Sequence, residues 1–502
     1  MNILRICAGL VTVVASFSVP LSALDASISA SVQDIQEMFG TRAVRLVFTN
    51  GGTLHYVDFS EDSPQIRAFS NVEDAHFPVI SPDGDWVVFN TGVEAEYRDG
   101  AAAWVCRTDD PGMQPIKVAD MAHTPRFVLK SGDPEVVYAT KGWCLESESY
   151  RWDGCGSVVA RQYSDNAFSD SREIWAGGSY FGGLSTDEGY LATAEQSANA
   201  WMLDLQNAAG GPQRIHNLTV TNTSTGVDTT VNLQTCNASI SPSDIFTDVM
   251  MYYDFGGLRG YEHDLLGEWD MHEFLFITRF DDVILKVFQV PEQVPVVESY
   301  VGTGEITHTE WEHPEWSNHP YFAAACVLVE RSWHKDYRPG QSIPWQSRKR
   351  NERIFGIDLK QDRYLELIAS NDTVFSAEVN LLHPWIWVDE AGDFVEDSCW
   401  LVPNGEDCGN SGVVTRGPGG AGRLGMELRG NGLLLISHPV GRRHGIPRVS
   451  VYAADGAIVD AARIHHTPGA TRVNLSEIKN GSYVVTVRRG GRVFSERCIL
   501  VR

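Results

Sequence analysis

The sequence predicts an all-β protein: a six-bladed β-propeller followed by an immunoglobulin-like β-sandwich. Three observations carry this expectation. A strand–turn–strand hairpin with a Ser-Pro-Asp-Gly type of turn recurs five times between residues 78 and 327. Further strand pairs fall between the hairpins, so each unit holds about four short antiparallel strands, the content of one propeller blade. After residue 424 the chain turns from acidic to basic and reads as strands throughout.

At 502 residues, with 43% apolar residues and 14 Trp, the chain is too long for one ordinary domain and too apolar for a disordered one. Its 65 acidic against 40 basic residues leave a net charge of -25, which argues against a sequence-blind nucleic-acid binder. Residues 1–23 place Arg5 ahead of an apolar stretch from Ile6 to Val19, then Pro20 and small residues ending at Ala23. That is the plan of a secretory signal peptide, cut after Ala23 or, as a second candidate, after Ala26. A buried N-terminal helix is the alternative. No later apolar run reaches the roughly 20 residues needed to cross a bilayer.

Apart from Cys7, eight of the 9 cysteines follow this segment, an even number suited to an oxidising compartment. Cys144 with Cys155 and Cys399 with Cys408 are close pairs without the CxxC spacing of a zinc site, and both are expected as disulfides. Cys106, Cys236, Cys326 and Cys498 lie in strand-like runs, as buried thiols or as further bridges.

The propeller is read over residues 31–388. Its cleanest hairpin is Pro78–Phe89, turning at Ser81-Pro82-Asp83-Gly84, where Pro presets φ, Asp accepts from the turn backbone and Gly takes the positive φ. Related copies turn at Ser131, Ser185, Ser241 and Ser317. Strand pairs such as 102–107 with 114–119, 200–205 with 213–216, and 353–359 with 364–368 complete the blades. A sixth blade is built from 43–49, 53–59 and 65–69 and closed by 383–388, so that no edge is left unpaired. Seven blades is the alternative, since the gap from 256 to 313 has room for another unit.

These Ser-Pro-Asp-Gly hairpins ahead of Val/Phe-rich strands resemble the TolB-type propellers, related in pattern to WD40-like repeats, over roughly residues 40–390. The resemblance implies the fold. It leaves function open, because the repeat occurs in enzymes and binding modules alike. Residues 389–424 form a Gly/Asp-rich linker carrying the second cysteine pair; Gly417–Gly422 matches GxGxxG but no strand precedes it and no helix follows.

Residues 425–502 hold 12 Arg+Lys against 5 Asp+Glu, net +7, which leaves -25 - 7 = -32 on the first 424 residues. Strands are expected at 433–437, 448–453, 457–462, 470–474, 481–488 and 492–501. The runs Val449-Ser-Val-Tyr452, Asp455-Gly456, Asn480-Gly-Ser-Tyr483-Val-Val-Thr-Val487, Gly490-Gly491 and Ile499-Leu-Val-Arg502 resemble the type A C-terminal sorting domain of the type IX secretion system. That resemblance implies export across the bacterial outer membrane, with the secretion machinery as partner and a secreted or cell-surface location. A plain immunoglobulin-like accessory or carbohydrate-binding module is the alternative.

There is no GxSxG elbow, no Gly-Lys-Ser/Thr phosphate loop and no HExxH helix, which disfavours the usual serine hydrolases, NTPases and zincins. Histidine does recur just ahead of the innermost strands, at His76, His123, His313 and His383. Residues there line one mouth of a propeller channel, and converging imidazoles with carboxylates suit a divalent metal. Propeller-fold polysaccharide lyases are similar in placing histidines and a metal in that channel. His308, Glu310, His319 and His334 are further candidates, and Trp316 is a candidate for stacking on a sugar ring. Against this, two of the four histidines stand two residues before Pro and two only one before, so alternation along a strand need not point them all inward. Ordinary packed histidines and tryptophans filling gaps between blades are the competing reading. The acidic segment Glu262-His263-Asp264 with Glu268, Asp270 and His272 suits a hard cation or is a solvated insertion. The expected role is a binding module for a glycan, peptide or protein, and the alternative is a metal-assisted carbohydrate-active lyase or hydrolase.

Overall fold

The computed structural model describes residues 25–401, except 93–100, 129–134, 141–155, 165–166, 178–180, 196–198, 211–212, 215–216, 233–234, 255–260, 263–271, 281–283, 292–304, 335–344, 372–378, 390–395 and 398–399, together with seven strands between 425 and 500. The signal-peptide segment, the Ser131 turn, Cys144–Cys155 and Cys399–Cys408 all fall outside the described residues.

Six antiparallel sheets form a propeller. Blade one runs Leu381–Val388, Val44–Asn50, Thr53–Asp58, Arg67–Ala68, so its innermost strand comes from the far end of the ring's sequence. Blade two runs His76–Ile80, Trp86–Thr91, Ala102–Arg107, Ile116–Asp120. Blade three starts at His123–Phe127, followed by Glu135–Ala139 and Ser157–Ser164, and blade four at Phe181–Leu184, followed by Tyr190–Glu195 and Asn199–Asp204. Blade five is Thr235–Ile240, Val249–Asp254, Phe274–Arg279, Ile284–Gln289. Blade six is Glu305–Trp316, Phe322–His334, Trp345–Asp358, Arg363–Ser370, with Ala26–Ile28 added at its outer edge. The innermost strands stand side by side around the axis, and Glu305–Trp316 abuts Leu381–Val388 to close the ring.

The count is therefore six. The long gap after Ser241 holds the outer strands of blade five, Phe274–Arg279 and Ile284–Gln289, and Tyr261–Glu262, which pairs back onto Asn217–Asn222 of a small extra sheet completed by Val227–Asn232. The turn chemistry repeats closely. Ser81 donates to Asp83 and accepts from Trp86 N–H at 2.9 Å; Ser185 donates to Asp187 at 2.7 Å and accepts from Tyr190 N–H at 2.9 Å. Both serines are buried, so these bonds close turns that water cannot satisfy.

Apolar faces of neighbouring blades pack together, and the tryptophans belong to that packing. Trp311, Trp316, Trp385 and Trp387 are buried, and three of their indole N–H groups donate to carbonyls: Trp311 to Phe288 at 3.1 Å, Trp316 to Pro320 at 2.9 Å and Trp387 to Pro82 at 2.9 Å. Cys106 and Cys326 are free thiols in this core.

A helix absent from the sequence expectation, Val32–Phe39, precedes blade one. Its capping box pairs Ser31 with Asp34, its end is set by Gly40 at φ 73, and Ile35, Met38 and Phe39 bury against blade six, with Phe39 4.8 Å from Phe322. The Ser-x-x-Asp signal was present in the sequence. Part of the expected linker also packs on the ring: Trp400 is buried among Trp316, Tyr321 and Phe246, and Glu396 accepts from Ser243 at 2.6 Å.

In the tail, Gly425–Leu428, Leu433–Ser437, Ala470–Asn474 and Arg463–Thr467 form one sheet, and Arg448–Ala453, Gly481–Arg489 and Arg492–Leu500 form another. Residues 457–462, expected as a strand, lie outside the described set. No helix among the described residues is long and apolar enough to cross a membrane.

Candidate functional site

The innermost strands share a device that no single hairpin reveals. In five blades two residues of the inner strand oppose one of the next, as where Phe77 and Pro78 face Phe89 between the pairs His76–Asn90 and Val79–Val88, and the first bulged residue sits in the left-handed region. These residues are Phe77 (φ 49), Thr124 (φ 44), Asn237 (φ 55), His313 (φ 48) and His383 (φ 51). Four of the five precede proline. Non-glycine residues held at positive φ cost on the order of 1–3 kcal/mol each, and such strain concentrates at ligand sites.

The bulge explains the uneven His–Pro spacing. His76 and His123 are the paired residues just before it, His313 and His383 its first residues. Three of the four histidines nevertheless meet. The His383 ring lies 4.3 Å from His313 and 5.6 Å from His76, with Phe77 4.2 Å away, and Thr49 Oγ1 is 3.2 Å from His383 Nδ1. Asp74 Oδ1 stands 3.0 Å from His76 Nε2, and Glu312 is 4.0 Å from His313 Nε2. His76 and His313 remain partly exposed at the mouth while His383 is buried. Burial, reinforced by the other two histidines, keeps His383 well below the usual imidazole pKa; burial also lowers His313, against the pull of Glu312 and Glu315. Neutral imidazoles able to accept a hydrogen bond or a metal therefore face the mouth at neutral pH.

The remaining candidates sit elsewhere. His123 is buried in blade three, its pKa pushed down to about 4 by burial, and it makes no ring contact with the cluster among the described residues. Trp316, the last residue of the same strand as His313, is buried and donates to Pro320 O at 2.9 Å; it offers no face to a sugar. His319 belongs to the adjoining turn, where its Nδ1 accepts from Tyr321 N–H at 3.1 Å and burial again lowers its pKa to about 4. The side chains of His308 and His334 lie outside the described set.

Below the histidines the channel is closed. Arg126 of blade three makes a two-pronged ion pair with Glu315 of blade six, both contacts at 2.7 Å, and in a six-membered ring these blades are opposite one another. Both side chains are at least nine-tenths buried. Between this latch, Phe77, Pro125 and His383 a cavity of only about 10 Å³ remains, room for one water. Sequence reading passed over this pair. Its signal is confined to Arg126, the one Arg, Lys, Asp or Glu in His123–Phe127; Glu315 is one of four glutamates in Glu305–Trp316, and nothing local sets it apart from the others.

Beside the cluster, His272 at the entry to the third strand of blade five approaches Glu310 and Glu312 of blade six at 3.4 and 3.3 Å. Burial alone would lower the His272 pKa, but the two carboxylates outweigh it and raise it to about 9.

No family model and no curated protein sequence matches this chain. Among solved structures, a chain of a nidogen/laminin complex is similar at 9% identity and TM-score 0.37, over 68% of this chain and 98% of that one. The Cps50 (Swd1) β-propeller domain of Myceliophteria thermophila is similar at 9% identity and TM-score 0.31, over 64% and 93% of the two chains. Kuenenia stuttgartiensis hydrazine synthase gives 10% identity and TM-score 0.31, over 64% and 91%. At these scores the propeller assignment stands on the chain's own strand order.

Proposed function

We propose that this is an exported bacterial propeller of TolB-like type that binds a glycan, peptide or protein partner at or outside the cell surface, with its ligand at the histidine-lined mouth of the channel. The observation that carries the reading is the meeting of His76, His313 and His383, drawn from three blades, above a channel closed by Arg126 and Glu315. A closed channel directs a ligand to the rim, and pre-strained bulges hold the rim residues in place without further ordering on binding. The signal-peptide pattern of residues 1–23 and the sorting-domain resemblance of residues 425–502 support export through the outer membrane.

The carbohydrate-active lyase or hydrolase remains the second reading, favoured by the same three histidines having Asp74 and Glu312 beside them. Glycan and peptide arrays probed with the mature protein and with His76→Ala separate the two. Binding lost in the variant, with no cleavage of acidic polysaccharides, supports the binding module. Accumulation of unsaturated sugar product with the wild type only supports the lyase. Binding undiminished in His76→Ala moves the ligand away from the mouth.

A further inference from the structure

Where blades five and six meet, three metal-type donors converge. Glu310 and Glu312, two apart on one strand, face the same way, and His272 meets them from just ahead of Phe274–Arg279. One donor atom of each lies within 4.8 Å of the others, and the side chains are 2%, 16% and 5% exposed for Glu310, Glu312 and His272. We propose that His272, Glu310 and Glu312 form a binding site for a divalent transition metal such as Zn²⁺ or Mn²⁺.

Distance is the first argument. His272 Nδ1 stands 3.4 Å from Glu310 Oε2 and 3.3 Å from Glu312 Oε1. A charge-assisted N–H···O bond is shorter, about 2.7–2.9 Å. Two donors each about 2.0–2.2 Å from one ion stand roughly 3.0–3.5 Å apart, which is the separation seen from His272 to each carboxylate. Donor chemistry is the second: one imidazole nitrogen with two carboxylate oxygens suits Zn²⁺ or Mn²⁺ and leaves a coordination position open.

Support around the donors is the third argument. His272 is held at φ 61, with its N–H donating to Asp254 at 3.1 Å and its carbonyl accepting from Trp311 N–H at 2.8 Å. Glu312 presents Oε1 to His272 while its Oε2 accepts from the Tyr253 hydroxyl at 3.2 Å, so the donor oxygen is oriented from behind. Such outer partners orient metal ligands in known sites. Two carboxylates buried side by side are costly unless a cation joins them, a charge that protonated His272 supplies without metal and that a bound ion would supply in its place, displacing the imidazole proton.

The test uses the full mature chain stripped with a chelator and titrated by calorimetry with ZnCl₂ or MnCl₂ alone, with Co²⁺ substitution to read the donor set by its absorption bands. The expected result is about one ion per chain, with affinity lowered roughly ten-fold or more in Glu310→Gln and Glu312→Gln and kept in His76→Ala. A rise in the melting temperature of the wild type on adding metal is the second measurement, independent of how the variants fold. Absence of stoichiometric binding and of any thermal shift in the wild type overturns the proposal. So does binding lost in His76→Ala but kept in Glu310→Gln, which would assign the ion to the channel histidines. Ligand capture at the mouth is read without added metal, so either proposal fails independently of the other.

Discussion

Removing one end of the cross-channel latch tests the architecture most directly. Arg126 and Glu315 are both at least nine-tenths buried and joined by two contacts of 2.7 Å. Arg126→Met leaves Glu315 charged and buried without its principal partner, and breaking a buried pair in this way costs about 3–5 kcal/mol. With an unfolding entropy near 2.1 cal/mol/K per residue, a ring of about 360 residues loses roughly 1.3 °C per kcal/mol, so each single variant should melt about 4–7 °C lower. The double variant Arg126→Met/Glu315→Leu removes both charges and their desolvation together, and should recover most of the loss. Thermal unfolding of wild type, both single variants (Glu315→Gln as the second) and the double variant completes the cycle. Single variants within about 1 °C of wild type, or a double variant whose loss equals the sum of the singles, would refute the reasoning, because either outcome means the two charges are not coupled across the axis.

Three further outcomes follow from the same packing. His55, His123 and His319 are held at about 4 by burial against an ordinary 6.5, so the folded ring binds fewer protons than the unfolded chain below that value. Stability should fall as pH drops from about 6.5 to about 4 and level off below, and His55→Phe, which keeps the stack on Phe48, should flatten part of the slope in melts run across that range. Gly84 sits at φ 79 and a Cβ there would come within 2.8 Å of the Trp387 ring, so Gly84→Ala should cost roughly 1–3 kcal/mol in denaturant titration. Trp400→Ala should cost about 3–5 kcal/mol if the buried indole is integral to the ring, and a melting temperature unchanged from wild type would return residues 396–401 to the status of a linker.

Much of the fold was legible because it is written in short-range chemistry. The Ser-Pro-Asp-Gly turn is completed within six residues by bonds from Ser81 to Asp83 and from Trp86 to Ser81, and the closing strand announced itself as an apolar run left over after the other blades were counted. The candidate site was legible only in part. His76, His313 and His383 were singled out as residue types at strand starts, but whether they meet depends on the bulges, which shift the inner strand by one residue and turn its side chains. His123 carries the same local signal as His76, yet it is buried in blade three and among the described residues its ring meets none of the three.

By itself the sequence determined the all-β class, the four-stranded units and the ring closed from both ends, since hydrophobic alternation and turn residues act over a few neighbours. Tertiary structure alone decided that Arg126 reaches Glu315 across 189 residues of chain and that His272 joins Glu310 and Glu312. Those pairings arise when six blades close into a ring and bring distant inner strands face to face, and no local pattern encodes which strand will stand opposite which.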